Sequence, residues 1–106
     1  MKVSLASIIE EDKTIDGVIS FKNDLLEPFN IKSIDKAKYH LEFYLDSSDS
    51  ISFDLNLEGV IVYNDLDEKK IKIEESELLE DFFPHLKEEV DIYDLLWQNI
   101  VLELPR

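Results

Sequence analysis

The chain has 106 residues, of which 25 are acidic and 11 basic, so its formal net charge is −14 at neutral pH. This length and a hydrophobic fraction of 44% predict one folded domain spanning residues 1–106. The charge argues against direct binding to RNA or DNA, because such affinity comes mainly from Lys and Arg on phosphates. The absence of cysteine excludes disulfides, thiolate zinc sites and cysteine nucleophiles.

The N-terminal segment does not have the pattern of a signal peptide. Residues 1–9 contain one lysine and a short apolar run, and three acids follow at residues 10–12. A signal peptide has a longer apolar core and a small-residue cleavage site. No stretch approaches the roughly 20 apolar residues of a membrane span. We therefore expect a cytoplasmic protein with no membrane association.

Alternation of apolar and polar residues predicts strands along the first two thirds of the chain. Residues 17–22 and 31–34 are short strand candidates, and Glu27-Pro28 breaks any regular element between them. Residues 39–45 and 51–57 alternate strictly enough to predict half-buried strands. The polar loop between these two, residues 46–50, predicts an antiparallel hairpin.

The second strand of this hairpin changes character at Gly59. The following residues 60–63 are apolar on both faces, which predicts that the strand is covered there. A glycine at such a position indicates a bulge or a close approach of two backbones. Residues 64–67 predict a turn, and residues 69–74 a further strand.

The end of the chain changes to helical periodicity. Asp91 is a candidate N-cap, Asp94 favours the helix start, and Pro105 ends the helix. The apolar face of this helix is broad, and Trp97 on it suits either the core or a partner. The fold class is α+β: an antiparallel sheet of hairpins, open or partly closed into a barrel, with a C-terminal helix packed on it.

Catalytic and metal-binding patterns are weak in this sequence. His40 and His85 are far apart in sequence, and each is expected to be a solvated surface side chain. Neither a nucleophile elbow nor a glycine-rich phosphate loop is present. Asp46, Asp49 and Asp54 suggest either a cation site or a hairpin turn, and their spacing favours the turn. We expect a protein that is not an enzyme and that needs no cofactor.

The segment from residue 74 to residue 94 combines acids with large apolar residues. Lys87 is its only basic residue. Such a segment suits a docking surface for a basic, partly apolar partner, or a core segment with a solvated acidic fringe. The candidate partner-binding residues are Glu74, Glu75, Glu77, Glu80, Asp81, Phe82, Phe83, Glu88, Glu89 and Asp91.

Two blocks of the sequence together resemble the YceD family, the proteins named for large ribosomal RNA subunit accumulation. The first block, residues 52–62, is a strand, a glycine and a second strand; the second, residues 90–105, is an aspartate-led helix with a leucine-proline close. Many family members carry cysteines near the position of Asp65, and Asn99 stands where a glutamate is common. The residues that match the family motifs are Gly59, Asp91, Leu95, Ile100, Leu102, Leu104 and Pro105.

The resemblance implies a role in large ribosomal subunit biogenesis and in the accumulation of its RNA. The acidic composition makes the chain a better escort for a lysine-rich protein than a direct ligand of RNA. We therefore expect it to bind a basic ribosomal protein or assembly factor through the acidic segment. The alternative is an acidic inhibitor, or nucleic-acid mimic, that occupies some other basic protein.

Overall fold

A computed structural model describes residues 1–85 and 88–104 of the chain, without the side chain of Asn23. Three short 3₁₀ turns lie at Asn23–Leu25, Glu27–Phe29 and Leu79–Asp81. The strands and helices, in chain order, are β1 (Lys2–Ser4), α1 (Leu5–Glu10), β2 (Lys13–Lys22), β3 (Ile31–Leu45), β4 (Ile51–Tyr63), β5 (Glu68–Leu78), β6 (Glu89–Asp91) and α2 (Ile92–Glu103).

The main sheet has four antiparallel strands in the order β2-β3-β4-β5. It is open at both edges, so the α+β class is confirmed and closure into a barrel is not found. A second, two-stranded sheet joins β1 to β6, with Val3 opposite Val90. None of the helices among residues 1–85 and 88–104 is long and apolar enough to cross a membrane.

The predicted hairpin is the centre of the sheet. Leu41 of β3 pairs with Leu55 of β4, and both are buried, as the alternation predicts. The Asp46 carboxylate accepts hydrogen bonds from the backbone N–H groups of Ser48 and Ser50 and from the hydroxyls of Ser48 and Ser52. These bonds lower the pKa of Asp46, with the Ser48 hydroxyl as the largest cause. Asp46 therefore holds the turn together.

Gly59 lies where two backbones come close together. The register of β3 shifts between Asp35 and Lys38, and Lys36 in this bulge has a φ of 50°. A Cβ atom on Gly59 would lie 3.1 Å from the Cα of Ala37. The predicted close approach is thus confirmed, and the bulge belongs to the opposing strand.

Helix α2 starts where the sequence predicts. The Asp91 side chain accepts a hydrogen bond from the backbone N–H of Asp94 at 3.4 Å, which caps the helix. Trp97 is half-buried, and its ring centroid lies 5.7 Å from that of Phe21 and 6.4 Å from that of Phe29. The side chain of Trp97 therefore packs against the core. The predicted stop residue, Pro105, lies outside the described residues.

Candidate functional site

The structure does not bring all ten predicted partner-binding residues together. Glu74 is exposed on the outer face of β5, whereas Glu75 and Glu77 are half-buried on its opposite face. Glu80 and Asp81 are exposed in the 3₁₀ turn that follows. The predicted acidic surface therefore divides into several parts.

One concave site collects the remaining members of the predicted set, apart from Asp91. It has a volume of about 740 Å³ and combines two aromatic rings with three carboxylates. We call it the aromatic–acidic hollow; it is lined by Phe82, Phe83, Pro84, His85, Glu88, Glu89, Asp94 and Gln98. Leu86 and Lys87, which the sequence places in the same segment, lie outside the described residues.

The aromatic wall is positioned by the 3₁₀ turn at Leu79–Asp81. Leu79 is buried, and its carbonyl accepts hydrogen bonds from the backbone N–H groups of Phe82 and Phe83, both at 3.1 Å. The ring of Phe82 then packs edge-on against Phe53 of β4, at a centroid distance of 5.4 Å. Because Phe82 and Phe83 stay only half-buried, each keeps apolar surface for a ligand.

The acidic wall is positioned by the small sheet of β1 and β6. Glu89 pairs with Ser4, and the carbonyl of Glu88 accepts a hydrogen bond from the backbone N–H of Leu5 at 2.8 Å. Val90 points into the core, so the neighbouring Glu89 side chain points to solvent. Ser4 and Leu5 therefore hold the backbone of Glu89 and Glu88 in place.

Helix α2 supplies two residues that were not among the candidate partner-binding residues, Asp94 and Gln98. They are one helical turn apart, so they lie on the same face and line the hollow together. The four-residue spacing between Asp94 and Gln98 was the one feature of the sequence that could have indicated this shared face. Asp91, which was selected, does not line the hollow; its half-buried carboxylate caps α2 instead.

Most of the described residues that match the YceD family motifs are buried or lie where two backbones come close together. Leu95, Ile100 and Leu104 are buried beneath the sheet, and Gly59 allows β3 and β4 to approach. Leu102 is the exception, because 65% of its surface is exposed. Leu95, Ile100, Leu104 and Gly59 therefore shape the core, and none of the described motif residues lines the hollow.

The outer face of the main sheet carries a second polar cluster, centred on His40. Its Nδ1 atom contacts Asp16 of β2, and its Nε2 atom lies 2.9 Å from Glu42. Both carboxylates raise the pKa of His40, and the hydrogen bond with Glu42 is the larger cause. His40 is therefore a surface side chain, as expected, but it is paired with two carboxylates, which the sequence did not indicate.

Protonation of His40 should stabilise the fold at acidic pH. Because the folded-state pKa is raised, the stabilisation is fully present below the unfolded-state value of about 6.5 and disappears as the pH rises through the folded-state value. We expect His40→Gln to lower the free energy of unfolding more at about pH 5.5 than at about pH 8.5, measured by urea denaturation. His85→Gln is the matched control. Equal losses for His40→Gln at both pH values would contradict the expectation.

Within residues 1–85 and 88–104, no group of three or more His, Asp or Glu side chains is arranged to hold a metal ion. Asp46 and Asp54, two of the three aspartates considered, have other roles. Asp54 accepts hydrogen bonds from the hydroxyls of Tyr44 and Ser76, at 3.0 and 2.8 Å. Both carboxylates thus support the hairpin.

Comparison with known proteins does not add a relative. No family model matches the chain, and no curated protein or solved structure matches it either. The resemblance to the YceD family therefore stays a prediction from residues 52–62 and 90–105.

Proposed function

We propose that this protein is a non-enzymatic binding protein whose aromatic–acidic hollow takes a basic segment of a protein partner. The observation that carries this proposal is the side-by-side arrangement of Phe82 and Phe83 with Glu88, Glu89 and Asp94 around one concavity. Apolar surface next to carboxylates is complementary to lysine and arginine side chains, which combine an apolar stem with a charged end.

A basic side chain would make two kinds of contact in this hollow. Its methylene groups would lie against the half-buried rings of Phe82 and Phe83, with the cation near an aromatic face. Its charged end would reach the carboxylates of Glu88, Glu89 or Asp94. The net charge of −14 would also attract a basic partner over long range, so association should slow as salt is added.

We infer further that the partner is a basic ribosomal protein or ribosome assembly factor, bound in the cytoplasm. The resemblance to the YceD family supports this, because it implies a role in large-subunit biogenesis and in the accumulation of large-subunit RNA. In this role the protein would hold the basic partner before RNA neutralises the positive charge of that partner.

The net charge of −14 also fits a second candidate, an acidic inhibitor or nucleic-acid mimic. Such a protein would occupy the nucleic-acid site of a nuclease or polymerase. Strong binding to an enzyme of this kind, with no binding to basic ribosomal proteins, would favour the second candidate.

Depletion of the protein in its host should lower the ratio of large-subunit to small-subunit ribosomal RNA. We expect the native gene to restore the ratio, and Glu88→Lys/Glu89→Lys to fail because two of the three carboxylates of the hollow are reversed. RNA electrophoresis and a sucrose gradient measure both effects.

The control for this experiment is Glu10→Lys/Asp12→Lys. It makes the same change in net charge at two exposed acids that do not line the hollow, and it should restore the ratio. An unchanged ratio on depletion would contradict the ribosomal role. A lowered ratio that both variants restore would keep the role and reject the hollow as its site.

A further inference from the structure

Strand β5 has an open backbone edge. On one side, Glu68–Leu78 pairs with β4 through eleven consecutive residue pairs without a register shift. On its other side, no backbone hydrogen bond joins β5 to any residue within 1–85 or 88–104. In an antiparallel sheet every second residue of an edge strand directs its N–H and C=O away from its neighbour. These groups can pair with another strand.

The two edges of the main sheet differ in this respect. Strand β2, at the opposite edge, has a register irregularity between Ile19 and Phe21. Bulges of this kind twist an edge and hinder pairing with other chains. Strand β5 contains neither a bulge nor a proline along its length. Its backbone is therefore the more regular of the two edges, and its charges, three lysines among them, decide which strand can be added.

The charges along β5 select the strand that fits. Three lysines occupy its first half, at positions 69, 70 and 72, and three glutamates occupy its second half, at positions 74, 75 and 77. An antiparallel neighbour runs in the opposite direction, so it needs acids opposite these lysines and bases opposite these glutamates. A second copy of β5 can meet this need for two of the three lysines and two of the three glutamates; Lys70 and Glu75 then lie opposite uncharged residues.

We propose that two copies of this chain associate through their β5 edges, around a two-fold axis at Ile73. In this register Lys72 of one copy lies opposite Glu74 of the other, and Lys69 lies opposite Glu77. The two-fold axis produces each of these pairs twice, and no like charges lie directly opposite each other.

The neighbouring positions of the axis are less favourable. An axis at Lys72 places two copies of that lysine opposite each other, and an axis at Glu74 does the same for that glutamate. Like charges directly opposite are destabilising in antiparallel sheets. The charge pattern of β5 thus specifies one register among the three.

Association through β5 would join the two main sheets into one continuous sheet of eight strands. The aromatic–acidic hollow contains no residue of β5, so its residues are separate from the pairing edge. This inference goes beyond the proposed function and does not depend on it. The reversal at Glu88 and Glu89 tests the hollow, and substitutions within β5 test the edge.

Charge exchange across the edge tests the proposal by sedimentation equilibrium. The native chain should show a concentration-dependent rise in mass from 12.4 kDa towards twice that value. Lys69→Glu/Lys72→Glu alone and Glu74→Lys/Glu77→Lys alone should both remain monomeric, because each places like charges opposite each other. An equal mixture of the two variants should again form dimers, since every reversed charge then meets its opposite.

The control is Lys22→Glu/Lys32→Glu, which makes the same change in net charge as Lys69→Glu/Lys72→Glu, at exposed positions outside β5, and should associate like the native chain. Circular dichroism establishes that every variant is folded. A native chain that stays at 12.4 kDa at all concentrations would overturn the proposal. So would a mixture of the two β5 variants that stays monomeric.

A disulfide test examines the register itself. The chain has no cysteine, and residues 70 and 76 of one copy are too far apart along a strand to be joined to each other. Lys70→Cys/Ser76→Cys should form a covalent dimer on mild oxidation, because residue 70 lies opposite residue 76 of the second copy. Lys72→Cys/Ser76→Cys should not, and faster cross-linking of that control would overturn the register.

Discussion

Replacing Phe53 with alanine should lower the free energy of unfolding by about 3–5 kcal/mol, the usual cost of removing a fully buried phenylalanine. Phe53 has no exposed surface, and its ring lies between Phe43, at a centroid distance of 6.4 Å, and Phe82, at 5.4 Å. The substitution leaves a cavity in the centre of the hairpin and removes the support of Phe82. Urea denaturation followed by the fluorescence of Trp97 measures the loss.

The control for Phe53 is Val18→Ala, because 68% of the surface of Val18 is exposed. Its effect should stay within about 0.5 kcal/mol, as for most surface substitutions. A loss below about 1 kcal/mol for Phe53→Ala would mean that the aromatic cluster is not packed as described.

Gly59→Val should cost about 1–3 kcal/mol, as for other substitutions that overfill a packed region. The first added atom would lie 3.1 Å from the Cα of Ala37 and 3.4 Å from the carbonyl oxygen of Asp35. Both neighbours are backbone atoms of the bulge in β3, so they cannot move aside as a side chain can. Thermal unfolding followed by circular dichroism measures the shift.

A valine at Asn56 is the matched control for Gly59→Val. Asn56 lies three residues earlier on the same strand and is exposed on its outer face. A β-branched residue suits such a position, so Asn56→Val should be neutral within about 0.5 kcal/mol. If both valines have the same effect, the close approach at Gly59 does not constrain the strands.

Local patterns were sufficient for the central hairpin and for α2. Strict alternation and a five-residue polar loop predict both strands of the hairpin, because burial of one sheet face imposes a period of two. An aspartate before a broad apolar face predicts the helix start at Asp91, because that side chain satisfies an orphan N–H. In each case the determining interactions join residues close together in the chain.

Other elements depend on contacts between distant residues. The strand candidates at 17–22 and 31–34 are parts of longer strands, which pair with each other over most of β2. The polar residues of these strands are extended because they pair with the neighbouring strand. A short stretch of sequence does not reveal that pairing. His40 likewise contacts Asp16, which is 24 residues away, because the register of β2 and β3 places them opposite each other.

The candidate site was only partly predictable for the same reason. The acidic segment includes the two aromatic residues and all three carboxylates of the hollow, although Asp94 was not among the candidate partner-binding residues. Its other acids point elsewhere, because β5 alternates its faces and the 3₁₀ turn redirects the chain. The contribution of α2 depends on how the helix packs, which sequence spacing alone does not determine.

The pairing of β1 with β6 has a consequence for folding during synthesis. Residues 2–4 are made before the main sheet, yet their partners are residues 89–91, and the carbonyl of Met1 accepts a hydrogen bond from the backbone N–H of Ile92. The four central strands are joined by short connections and can assemble as the chain lengthens. Strand β1 cannot pair until residues 89–91 have been made, after all four strands of the main sheet, so β1, β6 and the adjoining acidic wall form after that sheet.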